Sequence, residues 1–254
     1  MKTHKVGETM YTAVYNLDAL ELLENIRHAT IVFLDPPFNI GQAYEATDDA
    51  IDSEAYLRKL RQWIQAGWNA LGEHGSLWLN LPDALCWRAA AFADELGAKL
   101  ENWCIWHYRF AVCQPYRFLR SKSHALWFSK GSPIVNAEAA LVPSDRATLY
   151  NDDRTTLGTR MDFDVWGFDK YWGRIQGNNL ERGITPNQLP EKYLQRVVSV
   201  CSNESDMVID PFCGSGTTAT VCQALKRRCI TGDISRMYCE TAVERIKRGT
   251  VLRK

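Results

Sequence analysis

The chain has 254 residues, with 30 basic and 30 acidic side chains, and is 46% hydrophobic. That length suits one large α/β domain or a domain with an insertion, and the apolar content is ample for a core. Zero formal charge excludes a general polycation, so any nucleic-acid contact must be local. The eight cysteines form no C-x-x-C pair and mostly sit among apolar neighbours, which favours reduced thiols over disulfides or a zinc site. No metal site is expected. The start lacks an apolar signal core and no run reaches membrane-spanning length, so the expectation is a soluble, cytoplasmic protein.

In chain order, Met10 to Val14 reads as a strand, and Leu17 to Leu20 opens a short helix with Asp18 as its N-terminal acid. Ile31-Val32-Phe33-Leu34 reads as a buried strand with no solvent face. It runs into Asp35-Pro36-Pro37-Phe38-Asn39, where two prolines cannot continue a ladder. An acid, free carbonyls and an aromatic ring are thereby held stiffly at a strand's carboxyl end, where open α/β sheets bind ligands. A polar, acidic loop (42–52) precedes a helix from Ser53 carrying Leu57, Leu60, Ile64, Trp68 and Leu71 at three- and four-residue steps. Leu77 to Leu79 is a strand, Ala84 to Leu96 a helix stopped by Gly97, and Trp103 to Tyr108 another strand.

Arg109, Arg117, Arg120, Lys122 and Lys130 then follow with no acid between them, interleaved with Tyr108, Phe110, Tyr116, Phe118, Trp127 and Phe128. Part of this is an ordinary strand, Ala125 to Phe128. The uncompensated cations still make it the best nucleic-acid contact in the chain. From Gly131 to Arg182 no period survives, which reads as a functional insertion or lid. A helix from Pro190 presents Leu194, Val197, Val198 and Cys201. Met207-Val208-Ile209 is a short buried strand ending at Asp210-Pro211-Phe212-Cys213-Gly214-Ser215-Gly216-Thr217-Thr218. A helix through Val221 and Leu225, a strand from Arg228 to Gly232 ending in Asp233, and a helix around Cys239, Val243 and Ile246 complete the pattern.

Strand, Gly-x-Gly turn and helix form a nucleotide-binding arrangement, in which glycines admit backbone N–H groups and the helix N-terminus favours an anion. Ala219 stands in the place of a third glycine, which argues against NAD. Acids on two strand ends beside a glycine turn fit S-adenosylmethionine better, with Asp233 placed to bond a ribose hydroxyl.

These motifs resemble the amino DNA methyltransferases, in the β-class arrangement where the catalytic motif precedes the cofactor motif. Asp35-Pro36-Pro37-Phe38 matches that family's D-P-P-[YF], and Asp210 to Thr218 matches D-P-F-x-G-S-G-T-T. Asp233-Ile234-Ser235 with Tyr238-Cys239 and Ala242 to Arg245 resembles the following acid and helix. Asp18 resembles the acid that comes first in a permuted chain. Trp127 to Gly131, Val165-Trp166, and Glu181-Arg182 before Pro186-x-Gln188-x-Pro190 extend the likeness to nearly the whole chain. Thr185 and Leu189 depart from the family's H-P-x-Q-K-P, and Leu17 from a common glycine.

The resemblance implies a circularly permuted, Rossmann-like α/β fold, mostly parallel, with helices on both faces. It divides the chain into a catalytic half (1–130), a target-recognition insertion (131–184) and a cofactor half (185–254). It implies that Asp35, Pro36, Pro37 and Phe38 are catalytic: Asp35 and the Pro36 carbonyl accept the hydrogens of an exocyclic amino group, and Phe38 stacks on a flipped base. Asp18, Asp35, Gln188, Asp210, Pro211, Phe212, Gly214, Ser215, Gly216, Thr217, Thr218 and Asp233 would hold S-adenosylmethionine. Asn39 joins Arg109, Arg117, Arg120, Lys122 and Lys130 as a DNA-contact candidate. Aspartate at the first motif position favours adenine-N6 over cytosine-N4, while an RNA or protein-glutamine methyltransferase or an inactive relic is disfavoured. Double-stranded DNA is the implied partner; a homodimer and a cognate restriction endonuclease are compatible with it.

Overall fold

Nine strands pair into one sheet, its central ones apolar and buried on both faces, so that their backbone groups must be satisfied laterally. The computed structural model describes residues 4–41, 51–108, 115–150, 152, 154, 158–167, 181 and 187–250. Its strands are β1 Lys5–Glu8, β2 Thr12–Asn16, β3 Ala29–Leu34, β4 Leu71–Leu81, β5 Lys99–His107, β6 Lys122–Ser129, β7 Leu141–Pro143, β8 Thr159–Met161, β9 Val165–Trp166, β10 Met207–Asp210 and β11 Arg228–Asp233. The main sheet runs β1-β2-β11-β10-β3-β4-β6-β5-β9, while β7 and β8 form a separate antiparallel pair. From β2 to β4 the neighbours are parallel, β6 is antiparallel to both β4 and β5, and β9 rejoins in parallel.

Helices α1 Ala19–Glu24, α2 Ser53–Ala70 and α3 Asp83–Glu95 cover one face. The other face is covered by α5 Glu191–Cys201, α6 Thr217–Ala224 and α7 Arg236–Arg248, and a short α4 (Asp145–Thr148) follows β7. Alternate strand residues divide between two cores: Phe33, Trp78, Trp127 and Val208 face α5, while Val32, Leu34, Leu77, Leu79 and Ile209 face α2. The expected α/β architecture with a mostly parallel sheet is the one observed. The seven cysteines described are free and buried. Among the described residues, no helix is long and apolar enough to cross a membrane.

Several boundaries differ from the pattern read along the chain. The helix from Ser53 ends at Ala70, and Leu71 already begins β4. The register against β3 is irregular there, Ala29 facing Leu71 and Ile31 facing Ser76, and Gly75 permits the close approach, since a Cβ would lie 3.0 Å from the Ala29 carbonyl oxygen and 2.8 Å from Leu71 Cδ2. The first of the chain's expected strands is shifted to Thr12–Asn16, and polar β1 adds an antiparallel edge beside it. Part of the loose stretch after Gly131 is ordered into β7, β8 and α4, and β9 extends the main sheet.

Candidate active site

Three adjacent parallel strands carry acids at or just beyond their carboxyl ends: Asp35 after β3, Asp210 on β10 and Asp233 on β11. Asp18, the N-cap of α1, follows β2 on the same edge and accepts the Leu20 N–H at 2.8 Å. The two distant motifs therefore meet, because β10 pairs directly with β3. Together they line an open cavity of about 210 Å³. Among the predicted site residues, Asp18, Asp35, Pro36, Pro37, Phe38, Asn39, Gln188, Asp210, Pro211, Phe212, Gly214, Ser215, Thr217, Thr218 and Asp233 border it.

Asp35 Oδ1 accepts a hydrogen bond from the Asn80 amide at 2.8 Å. Burial pushes its carboxyl up to about 7; the Asn80 bond opposes this and the charge of Asp210 adds to it. The double-proline turn is held from α2, where the Tyr56 hydroxyl donates to the Pro37 carbonyl at 2.6 Å. Asn39 adopts a positive φ of 55°, which asparagine tolerates better than most side chains. Its amide exchanges two hydrogen bonds with the Ile51 backbone, both 2.9 Å, so it ties the turn to the start of α2. Aromatic walls come from Phe38, Tyr56, Trp63 and Phe212, with Trp63 and Phe212 edge-on at 5.2 Å.

The glycine turn is shaped by its neighbours. Asp233 Oδ2 accepts the Gly214 N–H at 3.0 Å and Oδ1 accepts the Ser235 N–H at 2.9 Å. Asp210 is pushed up to about 6, chiefly by burial, while Thr218 and the Phe212 N–H hold it down and Asp233 raises it. Gly216 does not border the cavity. It caps α6 at φ 79°, and a Cβ there would meet Ala242 Cβ at 2.8 Å, so its role is close packing against α7.

Behind the turn lies a buried polar cluster. Arg245 Nη2 donates to Glu191 Oε1 at 2.9 Å, while Nη1 donates to Ser215 Oγ at 2.9 Å and Thr217 Oγ1 at 2.8 Å. Ser215 in turn donates to Gln188 Oε1 at 2.8 Å. Gln188 thus reaches the turn despite the changed neighbours in its motif, and Leu189 is buried in the core.

The DNA-contact candidates separate. Arg117 and Arg120 are exposed in the β5–β6 hairpin beside Tyr116, Phe118 and Leu119, and Phe118 is 100% exposed. Lys122 lies on the same edge but pairs with Asp83 at 3.1 Å. Lys130 is not brought to the cavity. It follows Ser129, which pairs with Ser76, whereas the edge bearing Asp35 is marked by Leu34 opposite Leu79 and by Leu81 opposite His124. Lys130 Nζ instead sits over the Trp68 ring at 5.3 Å. Arg109 lies outside the described residues, as do Arg182 and Thr185.

Sequence reasoning missed Asn80, Tyr56, Trp63, Lys59 and Arg245. Asn80 had a signal, as the lone amide in the apolar run Leu77-Trp78-Leu79-Asn80-Leu81. The others read as ordinary faces of amphipathic helices.

A sequence model of the N6/N4 type described as DNA methylase matches residues 29–244. The type II methyltransferase M.HpaI of Haemophilus parainfluenzae is 28% identical over 234 residues, which cover 90% of this chain and 72% of that protein. The M1.HpyAVI–SAM complex superposes with a TM-score of 0.66 at 19% identity, covering 92% of this chain and 98% of that one. The cytosine-N4-specific PvuII DNA methyltransferase gives 0.72 at 18% identity, covering 92% and 86%.

Proposed function

Because this chain belongs to the N6/N4 DNA methylase family, we propose that it methylates the exocyclic amino group of adenine in double-stranded DNA, using S-adenosylmethionine. The observation that carries this reading is Asp35 at the cavity wall, one carboxylate oxygen held by Asn80 and the other, among the described residues, open to an amino hydrogen. The residues present fit the methyl donor. Carboxylates on several strand ends suit a sulfonium and an ammonium group, the Asp233 carboxylate borders the cavity beside the glycine turn, and aromatic walls suit a purine. When bound, S-adenosylmethionine supplies an electrophilic methyl group on sulfur.

The amino nitrogen of adenine is a poor nucleophile while its lone pair is conjugated with the ring. Asp35 and the Pro36 carbonyl would each accept one of its hydrogens, which favours a pyramidal nitrogen with its lone pair free. Positioning and electrostatics then suffice, without a covalent intermediate. The target base must leave the stack at a cost of a few kcal/mol, and stacking on Phe38 would return about 1–3 kcal/mol. Arg117 and Arg120 would hold the backbone, and the 131–184 segment would read sequence. Residues 1–130 would carry the chemistry, and 185–254 the cofactor. The type II relative makes a cognate endonuclease the natural counterpart.

Aspartate at position 35 favours adenine. The same acceptor pair would serve the amino group of cytosine, which is the second reading. Incubation with labelled S-adenosylmethionine and DNA, followed by digestion to nucleosides, separates them. N6-methyladenine is expected; N4-methylcytosine would replace the substrate, and cofactor binding without label on DNA would overturn the reading.

A further inference from the structure

Asn80 stands at the end of β4, 2% exposed, and its amide faces three groups at once. Nδ2 donates to Asp35 Oδ1, and Oδ1 accepts from Ser123 Oγ at 3.0 Å and from the Tyr193 hydroxyl at 3.3 Å. Ser123 comes from β6 and Tyr193 from α5, so three separate elements converge on one amide. The two hydroxyls can donate or accept, but an ionised carboxylate only accepts. With Asp35 ionised, therefore, only one orientation of the amide satisfies all three partners. The reversed amide would set two acceptors face to face in a buried site, which is costly.

We propose that Asn80, backed by Ser123 and Tyr193, is a positioning residue that holds Asp35 in one orientation and leaves its second oxygen for the target amino group. This rests on the methyltransfer reading above. The groups facing Asp35 are Asn80 from β4, Tyr193 from α5 and Asp210 from β10, with Ser123 acting through Asn80. Asp210 opposes ionisation of Asp35, and burial pushes the Tyr193 hydroxyl up so that it stays a donor. The Asn80 amide is the neighbour that favours the accepting form.

The test replaces Asn80 with leucine, which keeps the volume and removes the donor. Loss of one hydrogen bond to a carboxylate should move the acid limb of the kcat–pH profile upward by about one pH unit. Turnover near neutrality should fall about fivefold, the deficit should shrink towards about pH 9, and KM for S-adenosylmethionine should stay within about twofold. Carboxyl-carbon NMR of Asp35 in the free protein should show its midpoint rising by a similar amount. A Ser123→Ala/Tyr193→Phe double variant, which frees the amide to turn, should shift both readouts the same way by less, and it carries the test if Asn80→Leu does not fold. A uniform loss of turnover at every pH, with an unmoved Asp35 midpoint, would overturn the proposal. Wild-type protein that binds S-adenosylmethionine but methylates no DNA would overturn the parent reading instead, and the NMR midpoints would still decide what Asn80 does to Asp35.

Discussion

In the proposed transfer Asp35 accepts a hydrogen bond, so its working form there is the carboxylate, yet burial and Asp210 push it up to about 7. Transfer should therefore rise as pH increases through about 7 on the acid side, which a pH–rate profile would check. The same shift has a cost in stability. The folded carboxyl binds its proton more tightly than the unfolded one, so between about pH 4 and 7 the native state holds the extra proton and stability falls as pH rises through that window. Asp35→Asn should abolish transfer and yet raise Tm at pH above this window, with little change near about pH 4. Each kcal/mol relieved is worth about 2–4 °C in a chain of this size. A variant that loses both activity and Tm at alkaline pH would contradict this account. Phe38, half-buried at the cavity wall, tests the other half of the chemistry. Phe38→Ala should lower turnover roughly 5- to 150-fold, the equivalent of about 1–3 kcal/mol of stacking, while titration calorimetry still detects S-adenosylmethionine.

The strand–turn–helix unit around Gly214 and Gly216 was legible because its signals are local: an apolar run, an acid, small residues, then a helix. What holds the turn was not. Arg245 reads as one more cation in the last turn of α7, and Glu191 as an acid in the first turn of α5, 54 residues away. Only the fold shows that both are buried, at 3% and 1% side-chain exposure, and that Arg245 also grips Ser215 and Thr217. Arg245→Met should remove the guanidinium that faces the buried Glu191 carboxylate and destabilise the fold by about 3–5 kcal/mol, read by denaturant melts. Combining it with Glu191→Leu should recover much of that loss, because an apolar pair of similar volume removes the buried charge. Affinity for S-adenosylmethionine should not recover in the double variant if the guanidinium positions the turn. Full recovery of both would reduce Arg245 to a stability element.

Across the whole molecule, what could be read was the order of motifs, and from it the meeting of β3 with β10, since a doubly wound sheet gathers strand ends on one edge. Pairings that depend on long-range register were hidden. Asn80 meets Asp35 because parallel β4 lies beside β3, and Ser123 reaches Asn80 only because antiparallel β6 turns back beside β4; the same reversal carries Lys130 to the far edge. A cationic run that looked continuous in the sequence is thus divided. Lys122 is neutralised by Asp83, Lys130 is remote, and Arg117 with Arg120 stays exposed in the hairpin beside Phe118. In a chain of zero formal charge, such a local pair should dominate the salt dependence of DNA binding. Replacing both arginines by alanine should flatten the slope of log K against log salt by about 2, whereas Lys130→Ala should leave it unchanged. Phe118→Ala, with the charge intact, should keep the slope and weaken binding to a duplex more than to a single strand, if its exposed ring works as a wedge in the stack. Fluorescence anisotropy over a salt series would distinguish these outcomes. An effect of Lys130→Ala equal to that of the arginines would mean that DNA crosses a different face from the one bearing Asp35.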